Sequence, residues 1–219
     1  MIPVHATHLL EGNPYDPSQL KTWIKKQLVD NQGMTYFDGR IMMTDEEMEQ
    51  AVPAAVLIPL VNKPEGIQVL LTQRASHLYN HAGQVSFPGG RIDPEDRNTQ
   101  ITALRETEEE IGLGRDKIEI LGSLKEYFIP SGFKVSPWVG WINPPLSLTP
   151  DPFEVDHIFE VPLSFFFDPQ RHHLKQDEFE GRQRRYYVFE YQEKTIWGAT
   201  AGMLIDLYHT LYSNLKNNA

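Results

Sequence analysis

The chain is expected to fold as an α/β/α sandwich around a mixed β-sheet. Three observations point there. Several short apolar or alternating segments read as strands, one amphipathic helix falls in mid-chain, and a second closes the chain. Strict strand–helix–strand alternation is absent, so a mixed sheet is expected rather than an all-parallel one.

In order, Pro17 and Ser18 start a helix through Leu20, Trp23, Ile24 and Leu28, whose spacing is helical. Asp45–Gln50 is an acidic helical turn. Residues 1–52 are expected to form a helical extension packed on the main domain of residues 53–219, with a homodimer contact or a substrate lid as alternatives. Pro53–Val61 is an apolar run suited to a strand buried on both faces. A turn at 62–66 returns Ile67–Thr72 as a second strand. Ile118–Ile129 and Val135–Ile142 are two more, and residues 143–152, with four prolines, are irregular. His157–Pro162 is a strand and Leu163–Phe167 core. Residues 171–185 are a mixed-charge stretch, either a solvated hairpin or a cationic rim, and Tyr186–Trp197 is a hairpin. Ala199–Leu215 carries Ala201, Leu204, Ile205, Tyr208, Leu211 and Tyr212 on one helical face.

The mid-chain helix lies in FPGGRIDPEDRNTQITALRETEEEIGL, Phe87–Leu113. Asn98 or Thr99 is placed to cap it and Gly112 or Gly114 to end it. At about 100° per residue, Glu106, Glu109 and Glu110 share one arc, while Ile101, Leu104 and Ile111 fall opposite. Like charges three or four apart cost roughly 0.2–0.5 kcal/mol a pair. A stripe of this kind faces water, or holds a hard divalent cation that accepts carboxylate oxygens and substrate phosphates together. Spacing alone leaves both readings open.

Residues Gly90–Leu113 resemble the Nudix box, the signature of hydrolases that cleave a nucleoside diphosphate linked to another group. Arg105-Glu106-Thr107-Glu108-Glu109-Glu110-Ile111-Gly112-Leu113 matches its second half, with Thr107 in place of an aliphatic residue. The step from Gly90 to Arg105 is one residue wider than in the generic box, and Asp96 stands where that box has a glutamate. Both departures are similar to the coenzyme A pyrophosphatase subfamily. So are Leu71–Arg74, His81–Gly90, Asp93, Ser131–Pro137, Phe159–Leu163 and Ile196–Ala201, although Tyr79 replaces an expected arginine.

The resemblance implies a Nudix-type sandwich and hydrolysis of coenzyme A (CoA) or a CoA derivative with Mg²⁺ or Mn²⁺. It implies Glu109 and Glu110 as main ligands, Glu106 as a further ligand or base, the Gly90 carbonyl as an auxiliary ligand and Arg105 as their organiser. Arg74, His81, Gln84 and Phe87 are the candidate substrate contacts. Glu154 or Asp156 is the expected late-loop acid. A Nudix enzyme acting on ADP-ribose, NADH or a dinucleoside polyphosphate, or a noncatalytic nucleotide-binding module, is the alternative.

Composition agrees without selecting this reading. The 219 residues suffice for one well-buried domain, and 40% hydrophobic with 23% charged residues describes an ordinary globular chain. No apolar run approaches membrane-spanning length, and the N-terminus lacks the pattern of a signal peptide. The absence of cysteine excludes disulfides and thiolate chemistry and fits a reducing compartment, so a cytoplasmic location is expected. A net charge of −10 argues against nucleic-acid binding. It also requires cations wherever a phosphate-rich nucleotide is to dock.

Overall fold

The computed structural model describes residues 17–30, 44–129, 131–179 and 181–217. A mixed sheet forms the middle layer. Its strands are β1 (Val52–Lys63), β2 (Gly66–Arg74), β3 (Val85–Ser86), β4 (Gly89–Arg91), β5 (Ile118–Ser123), β6 (Tyr127–Ile129), β7 (Phe133–Ile142) and β8 (Val155–Pro162). The main path runs β3-β2-β1-β7-β5, with β8 on β2, β4 on β1 and β6 on β7. The β1–β7 pair is parallel and the other pairs are antiparallel.

Strand β1 shows why its sequence is an unbroken apolar run. Ala55, Leu57 and Val61 face one hydrophobic cluster, while Ala54, Ile58 and Leu60 face another. A strand covered on both faces has no solvent side on which to place polar residues.

The first face is covered by the mid-chain helix α3 (Thr99–Ile111), through Ala103 and Ile111. The second is covered by α1 (Pro17–Asp30) and the C-terminal α5 (Gly198–Asn217), which makes the sandwich. Leu20, Ile24 and Leu28 of α1 are buried in that core, each stabilising by about 1.5–3 kcal/mol. Between β1 and α1 lies the short α2 (Asp45–Glu49), and between β8 and the next strands the turn of helix α4 (Leu163–Phe166). No described helix is long and apolar enough to cross a membrane.

A three-stranded antiparallel sheet, β9 (His173–Phe179), β10 (Arg182–Tyr191) and β11 (Lys194–Trp197), packs against α5. The mixed-charge stretch therefore forms a hairpin. One of its arginines, Arg184, is spent on Asp177, with a 2.9 Å Nη2–Oδ2 bond, and lies over the Tyr186 ring. The expected strand Ile118–Ile129 divides into β5 and β6. Leu124 between them donates its N–H to the Pro137 carbonyl instead of continuing the ladder.

Candidate active site

Helix α3 begins where Asn98 Oδ1 accepts the Ile101 N–H at 3.0 Å, a cap that contributes about 1 kcal/mol. It ends at Gly112, whose left-handed φ of 69° suits a residue without Cβ. Side chains on one flank of the helix form a network centred on Arg105. Arg105 Nη2 donates to Asp96 Oδ2 at 2.9 Å and to the Arg91 carbonyl at 3.1 Å. Its Nη1 donates to Glu106 Oε1 at 2.9 Å and Glu109 Oε2 at 2.8 Å. Asp96 also accepts the Thr102 hydroxyl at 2.9 Å and the Asp93 N–H at 3.0 Å. Bonding to Arg105, foremost, holds the Asp96 carboxyl down at about 2 against its own burial.

The opposite flank is unbalanced. Glu110 is buried, at 3% exposure, although its neighbour Glu109 stands in water. The expected separation of a charged face from an apolar face therefore fails at this position. Leu104 and Ile101 are half-exposed, while Thr102, Ala103, Thr107, Glu110 and Ile111 are buried together. The Thr107 hydroxyl avoids an unpaired burial by donating to the Ala103 carbonyl at 2.6 Å. Burial, then the Glu154 charge, push the Glu110 carboxyl up to about 8. Arg74 and the Gly89 N–H oppose that rise, and Glu106 adds to it. Burial likewise raises Glu106, with Arg105 offsetting it and Glu109 and Glu154 adding to it.

Backbone loops bring the remaining groups to this flank. The Asp151 N–H donates to the Glu110 carbonyl and the Thr149 N–H to that of Ile111, both at 2.9 Å, so the proline-rich segment is tied to the end of α3. The Glu154 carbonyl accepts the Ala75 N–H at 2.8 Å, which fixes the late loop beside the end of β2. Of the two late acids, Glu154 adjoins Glu106 and Glu110. Asp156 instead accepts the Ser76 N–H at 2.9 Å. Gly90 lies directly against the Glu106 carboxylate, where a Cβ would collide with it.

At Arg74 the β2–β8 register shifts, and the side chain leaves its ladder position. Its Nε is buried without a hydrogen-bond partner, an arrangement that is costly unless something accepts from it. Gln84 and His81 brace this end of β2. The Arg74 N–H donates to the Gln84 carbonyl at 2.9 Å, and Gln84 Oε1 meets His81 Nδ1 at 2.9 Å.

Phe87, expected as a substrate contact, does not offer a free face. Its ring is 3% exposed in the main core, because Val85 and Phe87 share the inward side of the chain there. Glu108, without an assigned role in the sequence, pairs with Arg115 Nε at 2.7 Å. Thr102, small and beside the carboxylate arc, is buried and donates its hydroxyl to Asp96, six residues before it.

Among the described residues, no three carboxylate or imidazole groups gather closely enough to enclose a metal ion unaided. Glu106 and Glu109 both lean on Arg105. The donor set nevertheless fits a hard divalent cation: three box carboxylates, a neighbouring fourth and a close-approaching glycine backbone. Burial raises the carboxyls of Glu106 and Glu110 first, and neighbouring glutamate charges add to it against the opposing pull of Arg105 and Arg74.

The NUDIX domain family model matches residues 51–194. A protein of Photorhabdus laumondii named "Uncharacterized Nudix hydrolase NudL" is 44% identical over 154 residues, covering 70% of this chain and 82% of that protein. The Yersinia pestis protein of the same name is 41% identical, over 69% of this chain and 75% of its own length. A crystal structure of a C. elegans Ap4A hydrolase binary complex is similar at 23% identity and a TM-score of 0.45, covering 51% of this chain and 80% of that one. With its domain and its relatives matched over most of their length, the chain belongs to the Nudix hydrolases, enzymes that generally use divalent metal ions.

Proposed function

We propose that the protein hydrolyses the diphosphate of coenzyme A or a CoA derivative, giving 3′,5′-ADP and 4′-phosphopantetheine or its acylated form. The observation that carries this reading is the buried, unpartnered Nε of Arg74 beside Glu110. Arg74 belongs to the Leu71–Arg74 pattern, and the loop bracing it contains the His81–Gly90 pattern. These segments meet others of the same resemblance in space. The Gln73 side chain donates to the Gly83 carbonyl at 3.1 Å, and the Thr200 hydroxyl donates to that of Val85 at 3.1 Å.

In this reading a water oxygen forms a bond to one phosphorus as the bond from that phosphorus to the bridging oxygen breaks. The bridging oxygen departs on the other phosphate. Glu106, made a stronger base by burial, takes the water proton or serves as a ligand. Glu109, Glu110 and the Gly90 carbonyl would hold Mg²⁺ or Mn²⁺, with Glu154 beside them. When bound, the ion neutralises the diphosphate and lowers the pKa of a water. Arg105 positions Glu106 and Glu109 from behind. Arg74 donates to a diphosphate oxygen, for which its planar guanidinium is suited.

The same centre serves a second reading, a diphosphate of another nucleoside such as ADP-ribose or NADH, because nothing in α3 distinguishes the two halves of the substrate. A substrate panel with Mg²⁺ and Mn²⁺, with products identified by mass, separates them. Cleavage of CoA between its phosphates is expected. Brisk ADP-ribose hydrolysis with no CoA cleavage would overturn the specificity and spare the fold. No metal-dependent turnover of any diphosphate would leave a nucleotide-binding module.

A further inference from the structure

Arg74 is clasped by the loop that follows it. Its N–H donates to the Gln84 carbonyl at 2.9 Å, and its carbonyl accepts the Gly83 N–H at 3.1 Å. On the other side, the ladder to β8 breaks register between Gln73 and Arg74, so the clasp does more of the holding than a regular neighbouring strand would. Between its two bonds lies the Gly83–Gln84 peptide. Side-chain packing at Gly83 does not fix this peptide: its φ is left-handed at 69°, and a Cβ there would meet nothing within 4 Å. Hydrogen bonds fix it instead. The Gln84 N–H donates to the His81 carbonyl at 3.2 Å, and the Gly83 carbonyl accepts from Gln73 Nε2 at 3.1 Å.

A glutamine amide can present either its oxygen or its nitrogen to a given neighbour. Lys194 removes that freedom. Its ammonium donates to Gln73 Oε1 from 121 positions further along the chain. Having donors only, it takes the oxygen and so turns Nε2 toward Gly83. Lysines ordinarily keep the ammonium in water. This one is half-buried at the start of β11, with its Nζ 5.8 Å from the centroid of the Phe159 ring. Phe159 pairs with Leu71, two residues before Gln73 on β2, so ring and amide share one face of the sheet beside the same ammonium. The C-terminal unit meets this loop once more where the Thr200 hydroxyl donates to the Val85 carbonyl.

We propose that Lys194 is a positioning residue for Arg74, acting through the Gln73 amide and the Gly83–Gln84 peptide. This role rests on the reading of Arg74 as a donor to the diphosphate. Arg74 Nε is buried without a partner in the protein, so its aim depends on where the backbone is held rather than on a bond at that nitrogen. Without Lys194 the Gln73 amide is free to turn, the Gly83 carbonyl loses its donor, and the clasp on Arg74 slackens. Lys194 contacts no substrate atom in this role.

Lys194→Met keeps the alkyl stem and removes the donor, and Lys194→Arg restores one. Two readouts on the full chain test the relay. Hydrogen exchange of the Gly83 and Arg74 amides, followed by NMR, needs no turnover. Both amides should exchange about threefold or more faster in Lys194→Met, with those of β1 unchanged. In Mg²⁺-dependent hydrolysis of CoA, the same variant should raise KM about three- to tenfold, part of what one hydrogen bond to a charged group contributes, with kcat nearly unchanged. Lys194→Arg should recover most of that rise, and Lys194→Met should add nothing to the kcat/KM loss of Arg74→Ala. Gln73→Met, which removes the middle of the relay, should match Lys194→Met and takes its place if that variant folds poorly. Unchanged exchange at Gly83 and Arg74, a loss that multiplies that of Arg74→Ala, or kcat falling with KM unmoved would each overturn the relay. Faster exchange at those amides in a protein that cleaves no CoA would keep the relay and remove the substrate reading.

Discussion

Two groups of carboxylates on helix α3 are treated in opposite ways. Around Arg105, the charges of Asp96, Glu106 and Glu109 are gathered on one guanidinium, and Asp96 sits far below its ordinary range. Around Glu110, burial and the Glu154 charge outweigh what Arg74 returns, and the carboxyl rises to about 8. In the first group every carboxylate has a guanidinium partner; it is a frame. The second holds a carboxyl that burial disfavours as an anion, so it favours taking up a proton or a cation.

The largest effect expected from this contrast is at Glu110. Glu110→Gln should cut hydrolysis by orders of magnitude, measured as kcat/KM at saturating metal, and near-full activity would refute its assignment as a ligand. The stability effect has the opposite sign. A carboxyl raised from 4.5 to about 8 costs nothing below pH 4.5, where it is protonated folded and unfolded alike. The penalty grows as pH rises from 4.5 and is complete above about 8. In a chelator, wild type should therefore lose stability across that window relative to Glu110→Gln, read by urea denaturation. Metal at a hundred times its Kd should restore about 2.7 kcal/mol to wild type and much less to the variant.

The group around Arg105 predicts smaller losses. Asp96→Asn removes the main partner of Arg105 and should lower activity by about 10–100-fold, with substrate KM nearly unchanged. Its pH signature separates it from Glu110. A carboxyl lowered from 3.8 to about 2 adds stability above pH 3.8, lost as pH falls through about 2. The stability gap between wild type and Asp96→Asn should thus be full at pH 5 and close toward pH 2. A gap that persists at pH 2 would place the contribution in packing rather than in charge.

Much of this was legible in the sequence. The unbroken run in β1, the Asn98 and Gly112 ends of α3 and the Arg105–Glu109 pair all rest on local rules of periodicity, capping and helical spacing. What escaped was decided by distant parts of the chain. Helical spacing placed Glu106, Glu109 and Glu110 on one arc, yet Glu110 is buried and Glu109 wet, at the helix end onto which residues 149–151 fold back. That Phe87 lies in the core also escaped, because a motif position says nothing of which side of the chain faces inward. Asp156 and Glu154 differ by two residues, and only the pairing of this loop with Ala75 and Ser76 tells them apart.

Glu108 supplies the smallest prediction and the sharpest control. It is of the same residue type as its neighbours and one step from Glu109, but its carboxylate and Arg115 Nε form a pair 44% exposed on each side. Exposed pairs of this kind contribute about 0–1 kcal/mol and are screened by salt. Glu108→Gln should shift stability by no more than that, with the difference vanishing in high salt and kcat/KM unchanged. If Glu108→Gln instead lost activity as Glu110→Gln does, negative charge along the whole helix, rather than the buried position at Glu110, would be what the chemistry needs. Retained activity at Glu108 beside its loss at Glu110 would tie function to burial among carboxylates and not to glutamate content.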